Sequence, residues 1–144
     1  MLFLSIRPEY VEMILSGRKT VELRRLRPRC VPGDWIAIYS TTPERCLRGV
    51  AQVSEVTASD SRELWEKVRP SAGVSRVEYE TYFAGAKQAV GIVLANPKRL
   101  VSPVSLTELR CVWPEFQPPQ SFRYLDREQI DFVLSRLNER CRAA

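Results

Sequence analysis

The sequence predicts an α+β protein, a small mixed β-barrel decorated by helices. Three observations carry this. About five segments have the short apolar or alternating pattern of strands, helical stripes with their own start signals fall among them, and the β-α alternations are too few for a doubly wound sheet. The 144 residues read as one domain, 1–144, long enough to bury a core and undivided by repeats, low-complexity stretches or linkers.

Leu2 to Ile6 reads as a buried strand, apolar except for Ser5. Arg7-Pro8 opens a helix, since proline is tolerated in the first turn. Val11, Ile14 and Leu15 form its apolar stripe and Gly17 its stop. Lys19 to Arg25 alternates as a strand, with Val21 and Leu23 predicted inward and Thr20, Glu22 and Arg24 on the other face. Two prolines and Gly33 make residues 27–33 a loop. Asp34 to Thr41 is a near-continuous apolar strand, expected to be buried on both faces. Leu47 to Thr57 is a longer strand in which Gly49 marks a bulge or bend.

Asp60 with Glu63 and Ser75 with Glu78 have the form of capping boxes and open two helices, the second running to Gly85. Ala89 to Leu94 is another buried strand, and Ser105 to Glu108 a single helical turn. Trp113 to Phe122 is a proline- and aromatic-rich loop. Asp126 with Gln129 caps a last helix with the stripe Ile130, Val133, Leu134, Leu137 and Cys141.

Composition removes several chemistries. The chain has no histidine, which excludes Ser-His-Asp and Cys-His catalysis and any histidine-bearing zinc site. Its four cysteines are scattered without paired spacing and read as free thiols, so no metal or cofactor is predicted. No apolar run approaches the ~20 residues of a membrane span. Met1 to Ile6 lacks the length and basic leader of a signal peptide, and the expectation is a cytoplasmic protein. Net charge is +5, and Arg18, Lys19, Arg24, Arg25, Arg27 and Arg29 crowd into residues 18–29 with Glu22 as the one acid. Such a patch attracts phosphate-bearing partners, RNA or a nucleotide. The competing reading is a solvated face that keeps the protein soluble.

Chemistry concentrates at Lys19, Glu22 and Arg24. A lysine in a dry cleft loses pKa while a nearby glutamate opposes that loss, so the two can act as general acid and base without histidine. Arg24 shares strand parity with Glu22 and can hold a phosphate. Lys19 has the opposite parity and joins them only if the strand begins after it or bulges. A surface salt bridge would use the same spacing. Around this trio, Arg18, Arg25 and Arg27 are candidates for tracking an RNA backbone. Tyr82 and Phe122 are candidates for stacking on bases, and the hydroxyls of Ser40, Thr41, Ser5 and Thr20 for bonding a base or ribose.

Gly17-x-Lys19-x-x-Glu22-x-Arg24 resembles the G-x-K-x-x-E-x-R signature of the ASCH domain, a branch of the PUA-like superfamily. It sits at a helix-to-strand junction after an N-terminal strand, with the Gly33-Asp34 strand entry and the Tyr82-Phe83-Ala84-Gly85 helix end following. The resemblance spans Leu2 to about Leu109 and makes Pro118 to Ala144 a C-terminal helical extension. It implies a PUA-like β-barrel with a cleft beside the first helix, and RNA binding. One branch of the family resembles ribonucleases that cut single-stranded RNA. Another contains amidohydrolases that deacetylate acetylcytidine. The lysine of that second branch is matched by Lys19, but its threonine falls at Glu22, its acidic partner has no match in residues 71–75, and Thr20 stands two residues out of place.

The leading expectation is therefore an RNA-binding protein, read further as a metal-independent ribonuclease. Lys19 and Glu22 would move protons at a ribose 2′-hydroxyl while Arg24 holds the phosphate. The alternatives are a hydrolase of a modified nucleoside such as acetylcytidine, or a non-catalytic module whose C-terminal helix docks a partner. The sequence leaves oligomeric state open.

Overall fold

The computed structural model describes residues 1–137. Its strands are β1 (Leu2–Ile6), β2 (Val21–Arg24), β3 (Trp35–Ser40), β4 (Cys46–Ser59), β5 (Ala89–Ser105) and β6 (Phe122–Tyr124). Its helices are α1 (Pro8–Leu15), α2 (Ser61–Val68), α3 (Arg76–Phe83), α4 (Leu106–Val112) and α5 (Arg127–Leu137). The strands form one curled sheet in the order β2-β5-β4-β3-β1-β6, so β2 and β6 are its edges. β1 runs parallel to β3, and the other neighbouring pairs are antiparallel.

The predicted caps form. Asp60 accepts from the Glu63 amide, Ser75 from the Glu78 amide and Ser105 from the Glu108 amide. α4 continues beyond the single turn expected, because Leu109 is fully buried and α4 packs on β5. β5 extends well past Leu94. Asn96, at φ 51, and two prolines hide that continuation in the sequence, and its register to β4 shifts across those positions. β6 begins at Phe122, the last residue of the predicted loop, and its three residues pair with β1 after the proline run.

Three apolar clusters hold the layers. The first lies inside the curl, where β1, β3, β4 and β5 meet α1 through residues such as Leu4, Ile38, Ile92 and Ile14. The second covers the other face of β1 and β3, where Phe3 and Tyr39 pack with Leu109 of α4, Trp113 just after it and Val133 of α5. The third packs Val21 and Leu23 of β2 under α2 and α3. The α5 stripe is thus spent on the sheet. Val133 is fully buried and Ile130 and Leu137 pack beside it, which removes the exposed face that a partner-docking helix requires. Cys141 of the predicted stripe lies outside the described residues.

Gly49 is where the curl tightens, and the register of β4 shifts there against both β3 and β5. A Cβ at this position would lie 2.5 Å from the Lys98 carbonyl oxygen and 2.6 Å from Leu15 Cδ2, so the glycine lets β5 and α1 approach together. Gly49→Ala is expected to cost about 1–3 kcal/mol by overpacking, read as a lower urea midpoint with an unchanged slope.

Candidate active site at the seam of the sheet

Because the sheet curls, its two edges face each other, and Arg24 crosses between them. From edge strand β2 its Nη2 donates to the Ser5 carbonyl of β1 at 2.9 Å, and its Nη1 to the Ser121 carbonyl beside β6 at 3.1 Å. Opposite residues of an antiparallel pair point to the same face, and Glu22 and Arg24 lie opposite Ile92 and Val90 of the inner cluster. The predicted parity holds but the faces are exchanged. Glu22 and Arg24 point into the curl, while Val21 and Leu23 face outward under α2 and α3. Both charged residues are buried, and Arg24 Nε lies 3.4 Å from Glu22 Oε1.

A cavity of about 610 Å³ opens in this seam. Ser5, Arg7 and Tyr10 form one side, Lys19, Glu22 and Arg24 the base, and Val77, Glu78, Thr81 and Tyr82 of α3 the facing wall, with Thr41 and Gln120 at its margin.

Lys19 reaches it because α1 ends in a glycine turn. Gly17, at φ +82, donates from its amide to Ile14 O while the Arg18 amide donates to Met13 O, a Schellman closure. The Thr20 and Val21 amides then donate to Ser71 O, and β2 starts only at Val21. Lys19 is therefore free of strand parity. Its side chain is 2% exposed, and its Nζ donates to the Ala72 carbonyl and lies 5.0 Å from the Tyr10 ring centroid. Gly73, at φ +66, permits this fit, since a Cβ there would lie 3.3 Å from Lys19 Cβ.

The electrostatics are asymmetric. Burial pushes the Lys19 amine below the usual lysine range; Glu22 opposes that shift, Arg24 adds to it and Glu78 opposes it. The Tyr10 phenol donates to Glu78 Oε2 at 2.9 Å, and burial with that bond pushes its pKa up to about 12. The same bond, together with the cap from Ser75, holds the Glu78 carboxyl below its ordinary range. The cavity thus contains a lysine disposed to release its proton and a phenol that keeps its own.

The trio predicted from spacing converges on this one cavity. Tyr82 lines it, and its hydroxyl donates to Leu23 O at 3.2 Å. Arg18, Arg25 and Arg27 are exposed outside it. Two expected residues are placed elsewhere. Ser40 is fully buried with its hydroxyl unpartnered, and it is the next residue, Thr41, that borders the cavity. Phe122 is fixed in β6 opposite Leu4 and packs against the inner core. Tyr10 and Glu78 escaped the sequence reading. Glu78 was accounted for by its capping box, and Tyr10 stands one residue before the apolar stripe of α1. Among the described residues no group of three Cys, Asp or Glu is arranged to hold a metal ion.

The sequence profile of the ASCH domain matches residues 4–103. The chain belongs to the ASCH domain family. The G-x-K-x-x-E-x-R motif at Gly17 to Arg24 lies within the match, whereas α4, β6 and α5 follow it. A curated relative, the ASCH domain-containing ribonuclease of Zymomonas mobilis, is 33% identical over 132 residues, covering 92% of this chain and 88% of its own. The crystal structure of ASCH from Zymomonas mobilis superposes with a TM-score of 0.88 at 32% identity, covering 93% of each chain. The N-terminal domain of Staphylothermus marinus McrB shares the fold alone, at a TM-score of 0.58 and 12% identity. The α+β class and the PUA-like curled sheet expected of an ASCH domain are thus present.

Two stability measurements check this geometry. Lys19 carries fewer protons folded than unfolded between its lowered pKa and the ordinary lysine value, so unfolding free energy rises with pH across that interval. Urea titrations at successive alkaline pH values should show this rise in the parent and not in Lys19→Met. Arg24→Met strands Glu22 in the sheet and is expected to cost about 3–5 kcal/mol, part of which the double variant with Glu22→Leu recovers in the same assay.

Proposed function

We infer that this ASCH protein binds single-stranded RNA and cleaves it without a metal ion. The observation that carries the reading is Lys19, buried on the cavity wall with its amine pushed below the usual lysine range. The ribonuclease name of the Zymomonas mobilis relative supports it. The neutral Lys19 amine takes the proton of a ribose 2′-hydroxyl, whose oxygen attacks the adjacent phosphorus. The P–O5′ bond breaks, leaving a 2′,3′-cyclic phosphate, and the departing 5′-oxygen takes a proton from water.

Arg24 plays a different part from the one its spacing suggests. Two of its nitrogens are engaged by backbone carbonyls, so it braces the seam and Glu22, and phosphate contact passes to Arg7 on the cavity wall and Arg25 outside it. Arg18, Arg25 and Arg27 guide the strand by charge, and Tyr82 offers a ring for stacking. We read the chain as one unit, 1–144, with 118–144 as its extension, acting in the cytoplasm; among the described residues no helix is long and apolar enough to cross a membrane.

A nucleoside hydrolase is the second reading, favoured by the Thr41 and Thr81 hydroxyls that share the cavity with Lys19. Thr20 is exposed and does not line it. Mass spectrometry of acetylated cytidine after incubation decides this reading, and unchanged substrate removes it.

For the ribonuclease, labelled single-stranded RNA should be cut equally with and without a chelator. Activity should rise with pH as Lys19 deprotonates, and Lys19→Ala should lose about 10²-fold or more. Cleavage that survives in Lys19→Ala rejects this mechanism. Replacing Arg18, Arg25 and Arg27 with alanine should flatten the salt dependence of binding.

A further inference from the structure

The Glu22 carboxylate is poorly satisfied for a group so buried. Glu22 is 7% exposed, its Oε1 has only the 3.4 Å approach of Arg24 Nε, and its Oε2 has no hydrogen-bond partner among the described residues. Lys19 does not relieve it, because the amine is turned to the Ala72 carbonyl. The Ser5 hydroxyl on the same cavity is unpartnered too. Desolvated acceptors of this kind are costly, so a ligand that brings N–H donors to them gains what the protein leaves unmet.

The volume and the donor pattern narrow the ligand. A cavity of about 610 Å³ falls within the range of small-molecule sites and suits one nucleotide. A carboxylate accepts best from two adjacent, parallel N–H groups. Guanine presents such a pair, N1–H and the 2-amino group. Adenine and cytosine each set one amino group beside an acceptor nitrogen. Uracil flanks one N–H with two carbonyls, and any of these acceptors would face the carboxylate charge.

We propose that Glu22 reads a guanine base in this cavity, accepting from N1–H and the 2-amino group. Ser5 is the matching donor in the same cavity for the O6 carbonyl, and Arg24, 3.4 Å from Oε1, holds the carboxylate in place. Tyr82, 40% exposed at the cavity, supplies the stacking face. The inference rests on the RNA-directed reading of the site and adds its base preference.

Calorimetric titration of the full chain with the 5′-monophosphates of guanosine, inosine, adenosine, cytidine and uridine tests it at one fixed salt concentration. Guanosine monophosphate should bind at least tenfold tighter than the other four. The comparison with inosine, which lacks only the 2-amino group, needs no variant. Glu22→Gln, whose unfolding midpoint confirms the fold, should bring guanosine monophosphate to the level of the others. Equal affinities, no measurable binding, or a guanine preference that survives Glu22→Gln each overturn the proposal. A guanine preference without RNA cleavage rejects the ribonuclease reading and keeps the pocket; cleavage without base preference does the reverse.

Discussion

A curled sheet that stops short of closure has two edges to reconcile, and here one guanidinium does it. Arg24 leaves edge strand β2 and donates to carbonyls at the end of β1 and beside β6, where the pairing of those two strands runs out. Arginine suits the task because its fork offers several fixed donors and its charge is not lost inside the protein. The Ser121 carbonyl also accepts from the Ser5 amide at 3.4 Å, so the guanidinium adds a second donor there and ties that contact to β2. The cost is a charge brought under the sheet, and Glu22 beside it offsets that cost. The width of the seam, and hence of the cavity, follows from the length of one side chain.

Lys19 occupies the opening that Arg24 leaves. Neither a strand nor a helix presents it; the glycine-closed end of α1 and the carbonyls of Ser71 and Ala72 do. A lysine held by backbone on both sides has little rotamer freedom left to lose when a ligand arrives, and that is the preorganisation acid-base chemistry requires. The aromatic ring of Tyr10 adds an apolar neighbour, so the amine is dehydrated without being sealed away from the cavity.

The sequence made the order of strands and helices legible, because apolar stripes and capping boxes are local signals. It also located the trio, since Gly17, Lys19, Glu22 and Arg24 lie in eight consecutive residues. It misassigned which face of β2 looks inward. Alternation identifies two faces, but when both are covered, one by the curl and the other by α2 and α3, hydrophobicity no longer says which is the interior. β6 was too short to show a period, and Asn96 with its neighbouring proline disguised the continuation of β5. The Tyr10–Glu78 bond joins residues 68 positions apart, a separation no local pattern reveals.

The wall formed by α3 divides the labour of the site. Phe83 on its underside belongs to the outer cluster with Val21 and Leu23, Tyr79 serves both that cluster and the cavity, and Val77, Glu78, Thr81 and Tyr82 look onto the cavity. Lys19, Glu22 and Arg24 are rooted in the β2 segment, and the inner cluster that supports the curl includes no residue of α3. Substitutions at Val77, Thr81 and Tyr82 on this one helix can therefore change which molecules are admitted while the folding of the sheet stays as it is, and Glu78 is the position where such a change would also reach Tyr10 and Lys19. The fold behaves as a fixed bench with an exchangeable jaw.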